Sequence, residues 1–153
     1  MTESAGVVLF RPAGDDIEIW LVHPGGPFWA KKDTHGWSIP KGEFEPSSEE
    51  AQLAAAREFE EELGHPVPPG HLTPLTPFRA GKKRIHAWLV EGDLDATNIT
   101  SNTFEMEWPP KSGQLQAFPE VDRAAWFSLQ DAATKLHKGQ LPIIKLITEA
   151  LQD

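Results

Sequence analysis

Cysteine is absent from this chain of 153 residues, which excludes disulfides, thiolate metal sites and thiol nucleophiles together. The same absence fits a reducing compartment such as the cytoplasm. No apolar run approaches the ~18–20 residues of a membrane span, and Met1 to Ser4 lacks the basic stretch and apolar segment of a secretory leader. The expectation is a soluble, unprocessed protein with no membrane partner. Positive charge is also scarce, since 14 Lys and Arg stand against 23 Asp and Glu, a net charge of −9. A groove that follows DNA or RNA phosphates needs many cationic contacts, so polymeric nucleic acid is not expected as a partner. An anionic small substrate would need a cation between itself and this surface, and a divalent metal is the simplest choice. Repeats and low-complexity tracts are missing too. The histidines, His23, His35 and His86 among them, show no metal-ligand spacing, and Asp15-Asp16 lacks the ligand pattern of an EF-hand.

The length and the 39 % hydrophobic content suit one globular domain spanning 1–153. Ser4–Arg11 and Ile17–His23 are rich in β-branched and apolar residues around Gly14-Asp15-Asp16, the pattern of a β-hairpin. Pro24 to His35 has loop composition, and Trp37-Ser38-Ile39 reads as a short strand stopped by Pro40. Glu49 to Leu63 holds no Gly or Pro and is dense in Ala, Glu and Leu, which predicts a helix. Ser47 or Ser48 would cap its start, and Gly64 would end it in the left-handed conformation. Further strands are expected near Leu72–Ala80, Arg84–Glu91, Thr103–Trp108 and Arg123–Phe127. Ser128 then opens a helix through His137, and Leu141–Leu151 forms a last amphipathic helix with Pro142 in its first turn. Strands on both sides of a central helix, with two helices at the end, imply a mixed sheet covered by helices on both faces.

The predicted central helix is electrostatically unfavourable on its own. At about 100° per residue, Glu58, Glu61 and Glu62 share roughly a third of the circumference, with Phe59, Leu63 and Ala56 on the other side. Like charges at these spacings repel, and in the last turns the negative end of the helix dipole opposes them further, by roughly 0.3–1 kcal/mol each. Local physics favours Lys or Arg there. A bound cation reverses the sign of each term, and an all-oxygen donor set favours Mg²⁺ or Mn²⁺.

Those acids stand in a longer pattern. Glu49, seven intervening residues, Arg57-Glu58, Phe59, Glu60, Glu61-Glu62, Leu63 and Gly64 follow in order. This run resembles the signature of the Nudix family, G-x5-E-x7-R-E-U-x-E-E-x-G-U with U bulky and apolar, placed here at 42–65. Two departures are visible: six residues rather than five separate Gly42 from Glu49, and the final U position holds His65. Trp37 to Glu43 also resembles the usual run-in to the signature, and Pro119 to Phe127 the last strand with the turn before it.

The resemblance implies an α/β (α+β) architecture, an α/β/α sandwich with a mixed sheet and a catalytic loop–helix–loop. It implies metal ligation by Glu58, Glu61 and Glu62, with the Gly42 carbonyl as a further ligand and Mg²⁺, or Mn²⁺, as cofactor. Glu58 or Glu61 would double as the base, while Glu49 and Arg57, eight residues apart, would form an ion pair that orients the catalytic end. Some members place the base later, and Glu105 and Glu107 are the candidates, although alternation along a strand equally allows a solvated face. Lys41, Lys31 and Arg79, with Lys32, Lys82 and Lys83, are candidates for outer phosphates. Trp37, with Trp29, Trp88, Phe104 and Trp108, is a candidate for stacking a base, and most of the 6 Trp are expected in the core.

The implied activity is hydrolysis of a phosphoanhydride bond in a nucleoside diphosphate linked to another group, by a monomer or homodimer. The Trp37–Gly42 run-in is most similar to the branch that cuts dinucleoside polyphosphates. Nucleoside triphosphates, nucleotide sugars and inositol pyrophosphates stay open as substrates. A non-catalytic nucleotide sensor of the same fold and an acidic interaction module are the alternatives of other classes. Retention of all three signature acids argues against the sensor, and a metal-free acidic module predicts no metal dependence.

Overall fold

The computed structural model of the chain describes residues 1–95 and 97–152. β1 (Thr2–Ala13) and β2 (Asp16–Pro24) form the expected hairpin, with Ala13 opposite Asp16. Their ladder runs only from that turn to Phe10 and Ile19, after which the strands diverge. The segment leading to the central helix fills the gap between them. Ser38 exchanges backbone hydrogen bonds of 2.9 and 2.8 Å with Val22, and β3 (Lys41–Glu43) pairs antiparallel with Ser4–Gly6 of β1. The expected strand at Trp37–Ile39 is therefore reduced to isolated bridges, and the continuous ladder begins beyond Pro40. Proline lacks the N–H that a ladder needs, so it breaks the segment rather than ending it.

The central helix, α1, runs Ala51–Leu63 and starts later than the sequence suggested. Neither Ser47 nor Ser48 caps it. The Glu45 carbonyl instead accepts the N–H groups of Ser48 and Glu49 in a tight turn, Ser47 donates to the Glu45 carboxylate, and Glu50 occupies the cap position without a side-chain bond. Gly64 ends the helix at φ 75°, as expected of the residue that tolerates this region best. The buried stripe is Ala54, Ala55, Phe59 and Leu63, with Ala56 only half-buried.

Beyond α1 the expected strand at Leu72–Ala80 is split into β4 (Thr73–Pro74) and β5 (Phe78–Ala80), with Pro77 between them. Both pair with β6 (Lys83–Glu91), which lies parallel to β1. β7 (Thr103–Glu107) pairs with β8 (Leu115–Pro119), a strand the sequence did not reveal, in a separate two-stranded arm. β9 (Val121–Ser128) returns beside β2, giving the order β4-β6-β1-β2-β9. Ser128 accepts the Asp131 N–H and starts α2, which stops at Lys135 rather than at His137; α3 is Pro142–Ala150.

Two apolar layers flank the sheet. On one face Ala5, Val7, Leu9 and Trp20 pack with the α1 stripe. On the other, Val8, Ile19, Leu21 and Ile85 pack with Ala132 and Leu136 of the α2 end and Ile143 and Ile147 of α3. The result is a helix–sheet–helix sandwich, with alternate residues of β1 serving opposite layers. Among the described residues no helix is long and apolar enough to cross a membrane.

Candidate functional site

Burial of Phe59 and Leu63 fixes the rotation of α1, and with it the direction of its acids. Glu58, Glu61 and Glu62 project toward the end of the sheet where β1 and β2 diverge. Gly42 on β3 lies directly against Glu58, where a Cβ on Gly42 would stand 2.1 Å from the Glu58 carboxyl. Any side chain here would expel that carboxyl, which gives the glycine a steric rather than a conformational reason. Glu62 is held from the same strand, its Oε1 accepting the Lys41 backbone N–H at 3.2 Å.

Arg57 binds Glu49 through two bonds, Nε to Oε2 at 2.8 Å and Nη2 to Oε1 at 2.9 Å. Its Nη1 donates to Glu58 at 3.0 Å and to Glu61 at 3.3 Å. Glu49 lies in the turn ahead of α1 rather than on it, and the long Arg57 side chain bridges that turn to the acidic face of the helix. The arginine thus links the anchor carboxylate to two of the convergent acids.

A fourth carboxylate joins them from far along the chain. A relay of backbone hydrogen bonds leads outward from the C-terminal turn of α1: Asn102 N–H to the Glu61 carbonyl at 2.9 Å, Glu120 N–H to the Asn102 carbonyl at 2.8 Å, and Gly25 N–H to the Glu120 carbonyl at 2.9 Å. Helix-terminal carbonyls have no partner within their own helix, so a passing strand can satisfy them. Here that requirement brings Glu120 beside α1 and ties the Pro24–His35 loop to both.

The electrostatics follow from this convergence. Burial, and then the neighbouring Glu58, push the Glu62 carboxyl up to about 8. Burial raises Glu58 despite Arg57, and burial with Glu61 raises Glu120. Lys41 is lowered, chiefly by burial and then by Lys83. These carboxylates sit where ionisation is opposed, a condition that a divalent cation would relieve. Among the described residues, no three acidic or histidine side chains already stand together as a finished metal cage. Glu58, Glu61, Glu62 and Glu120 nevertheless fit a hard cation by chemistry, as oxygen donors that repel one another.

Two hollows meet at this place. One, of about 180 Å³, is lined by Pro24, Ser38, Lys41, Glu62, Glu120 and His137. The other, of about 400 Å³, is walled by Gly26, Phe28, Trp29, Phe104, Met106 and Glu120. Pro24 and Glu120 border both. Trp29 meets His137 edge to face with ring centroids 5.0 Å apart, and Phe28 meets Trp108 at 6.0 Å.

The remaining expected residues fall elsewhere. Trp37 is 4 % exposed, donates to Asp33 at 3.0 Å and packs edge-on against Phe127 and His23, so it is core and stacks no ligand. Trp29 and Phe104, by contrast, line the aromatic hollow. Glu107 does not join the acids: Phe104 and Met106 of β7 line the aromatic hollow, alternation turns Glu105 and Glu107 outward, and Glu107 accepts the Lys111 N–H at 2.7 Å. Arg79 donates to the Gly81 carbonyl in its own turn at the β5 edge, and Lys31 is exposed in the loop after β2. Lys83, paired with Glu43 at 3.4 Å, lies nearer the Gly42 strand. His65 bonds the Asn98 carbonyl and holds the connection beyond the helix.

The family model described as NUDIX domain matches residues 2–147. A search of curated proteins gave no match. An Ap4A hydrolase of C. elegans, solved as a binary complex, superposes with a TM-score of 0.61 at 22% identity, over 99% of this chain and 98% of that one. The NUDIX domain of Shewanella oneidensis NrtR, solved with ADP ribose, gives 0.62 at 17% identity, over 98% and 88%. A mutT/nudix family protein from Listeria innocua gives 0.61 at 18% identity, over 98% and 93%. These likenesses concern the fold.

Proposed function

The chain belongs to the Nudix family of hydrolases, and on that premise we propose that it cuts phosphoanhydride bonds in a nucleoside diphosphate linked to another group, using Mg²⁺ or Mn²⁺. Dinucleoside polyphosphates are the leading substrate class. The observation that carries this reading is the shared border at Glu120, with acidic residues on one side of it and an aromatic hollow on the other. A nucleotide has the same two-part chemistry, a flat base and a polyphosphate joined through a sugar. Aromatic walls stack a base, whereas an inositol pyrophosphate would call for a basic hollow instead.

In this reading Glu58, Glu61, Glu62 and Glu120 would hold a divalent cation, with the Gly42 carbonyl as a further ligand. When bound, a divalent cation neutralises the diphosphate and lowers the pKa of water. The protein does the rest by placement. Gly42 lets Glu58 approach β3, the Lys41 N–H fixes Glu62, and Arg57 keeps Glu58 and Glu61 aligned from its anchor on Glu49. Glu58 or Glu61 accepts the proton of the attacking water, and the Lys41 ammonium faces the phosphates. A panel of nucleoside monophosphates, nucleoside triphosphates, nucleotide sugars and dinucleoside polyphosphates, assayed with each metal and resolved by chromatography, tests it. Cleavage within the diphosphate of dinucleoside polyphosphates supports the reading, and no cleavage of any anhydride in the panel overturns it.

A further inference from the structure

His137 lies just beyond α2, far in sequence from the signature helix, yet it lines the same hollow as Lys41, Glu62 and Glu120. Its Nδ1 is 3.0 Å from the His35 carbonyl oxygen. A carbonyl can only accept, so Nδ1 carries the proton and donates it. The charged imidazolium is disfavoured, chiefly by burial. In the neutral ring Nε2 is then an acceptor, and it has no hydrogen-bond partner among the described residues.

An acceptor in this position requires a donor from the ligand. Phosphate oxygens are acceptors themselves and would be repelled, so the complementary group is a donor, and with the aromatic hollow taking the base the donor left to a nucleotide is a sugar hydroxyl. The ring stands edge to face with Trp29 at 5.0 Å, and Trp29 lines the aromatic hollow. His137 therefore lines the acidic hollow on the side that meets Trp29, between the acids and the aromatic walls, where a nucleotide that spans the two hollows places its sugar. We propose that His137 Nε2 accepts a hydrogen bond from a ribose hydroxyl of the substrate and makes the site selective for ribonucleotides over their deoxy counterparts. This inference rests on the nucleotide reading above and adds a specificity residue to it.

Calorimetric titration with ADP, 2′-deoxy-ADP and 3′-deoxy-ADP in Mg²⁺ tests it on the wild-type protein and on His137→Ala and His137→Gln. One neutral hydrogen bond predicts that wild type binds ADP roughly threefold to tenfold more tightly than at least one deoxy analogue. That preference should vanish in His137→Ala and survive in part in His137→Gln, whose amide oxygen also accepts. Equal wild-type affinity for the three ligands, or a preference unchanged in His137→Ala, would overturn the ribose contact while leaving the nucleotide reading intact. Failure of wild type to bind ADP at all would overturn both. The wild-type comparison holds even if a variant folds poorly.

Discussion

Gly42 and Glu58 are in such close contact that a methyl group at Gly42 would lie 2.1 Å from the Glu58 carboxyl. Gly42→Ala must therefore move either the carboxylate or β3. We predict a fall in kcat of at least tenfold, with a stability loss on the order of 1–3 kcal/mol from overpacking. Unchanged kcat with unchanged melting would show that Glu58 has room to turn aside without consequence.

The proposed role of Arg57 is to orient the acids it contacts, so its removal should leave the metal bound. Arg57→Ala is expected to lower kcat by roughly tenfold, less than the loss of a ligand carboxylate. Arg57→Lys should recover little, because Lys cannot reproduce the paired bonds to Glu49. Metal affinity measured by titration separates this from ligation. A loss of metal binding in Arg57→Ala would contradict the orienting role.

The aromatic residues divide into two groups. Phe104→Ala and Trp29→Ala should raise KM, on the order of tenfold for a lost base stack, with little change in kcat. Trp37→Ala should instead lower stability, by roughly 3–5 kcal/mol as a fully packed ring is lost. The reverse pattern in steady-state kinetics and thermal melts would place the base at Trp37 after all.

Glu62 makes the metal-free protein sensitive to pH. Its carboxyl is raised from 4.5 to about 8, so between those values the folded chain holds a proton that the unfolded chain has released. Stability therefore falls as pH rises through that window, and is greatest below it. Glu62→Gln should flatten this slope in chelator-treated protein. Melting temperatures measured across the window would show it, and equal slopes in both proteins would contradict the burial of Glu62.

Much of this site is local enough to be legible in the sequence. Helical geometry alone brings Glu58, Glu61 and Glu62 to one face, and the bond between Arg57 and Glu49 spans only eight residues. Glu120 and His137 were not legible, because each reaches the site through tertiary contacts. Glu120 arrives by the backbone relay from Glu61 through Asn102, and His137 by the turn that follows α2. A charged residue between two strands, or a histidine after a short helix, carries no periodicity that would mark it. The helix start was misplaced for a related reason: Glu45 bonds ahead of α1 outcompete the Ser47 and Ser48 caps. Trp37 was misassigned because the sequence places it beside the signature without showing that Asp33 and Phe127 enclose it.

The convergent glutamates are proposed to hold a divalent cation that supports phosphoanhydride hydrolysis. The most direct test of that role is kcat on a dinucleoside polyphosphate with Mg²⁺ for wild type, Glu61→Gln and Glu62→Gln, with folding checked by circular dichroism. The account predicts a loss of a hundredfold or more in each variant, about 3 kcal/mol in the barrier, with folding intact and metal-free stability equal or slightly higher. Full activity in both variants would contradict it.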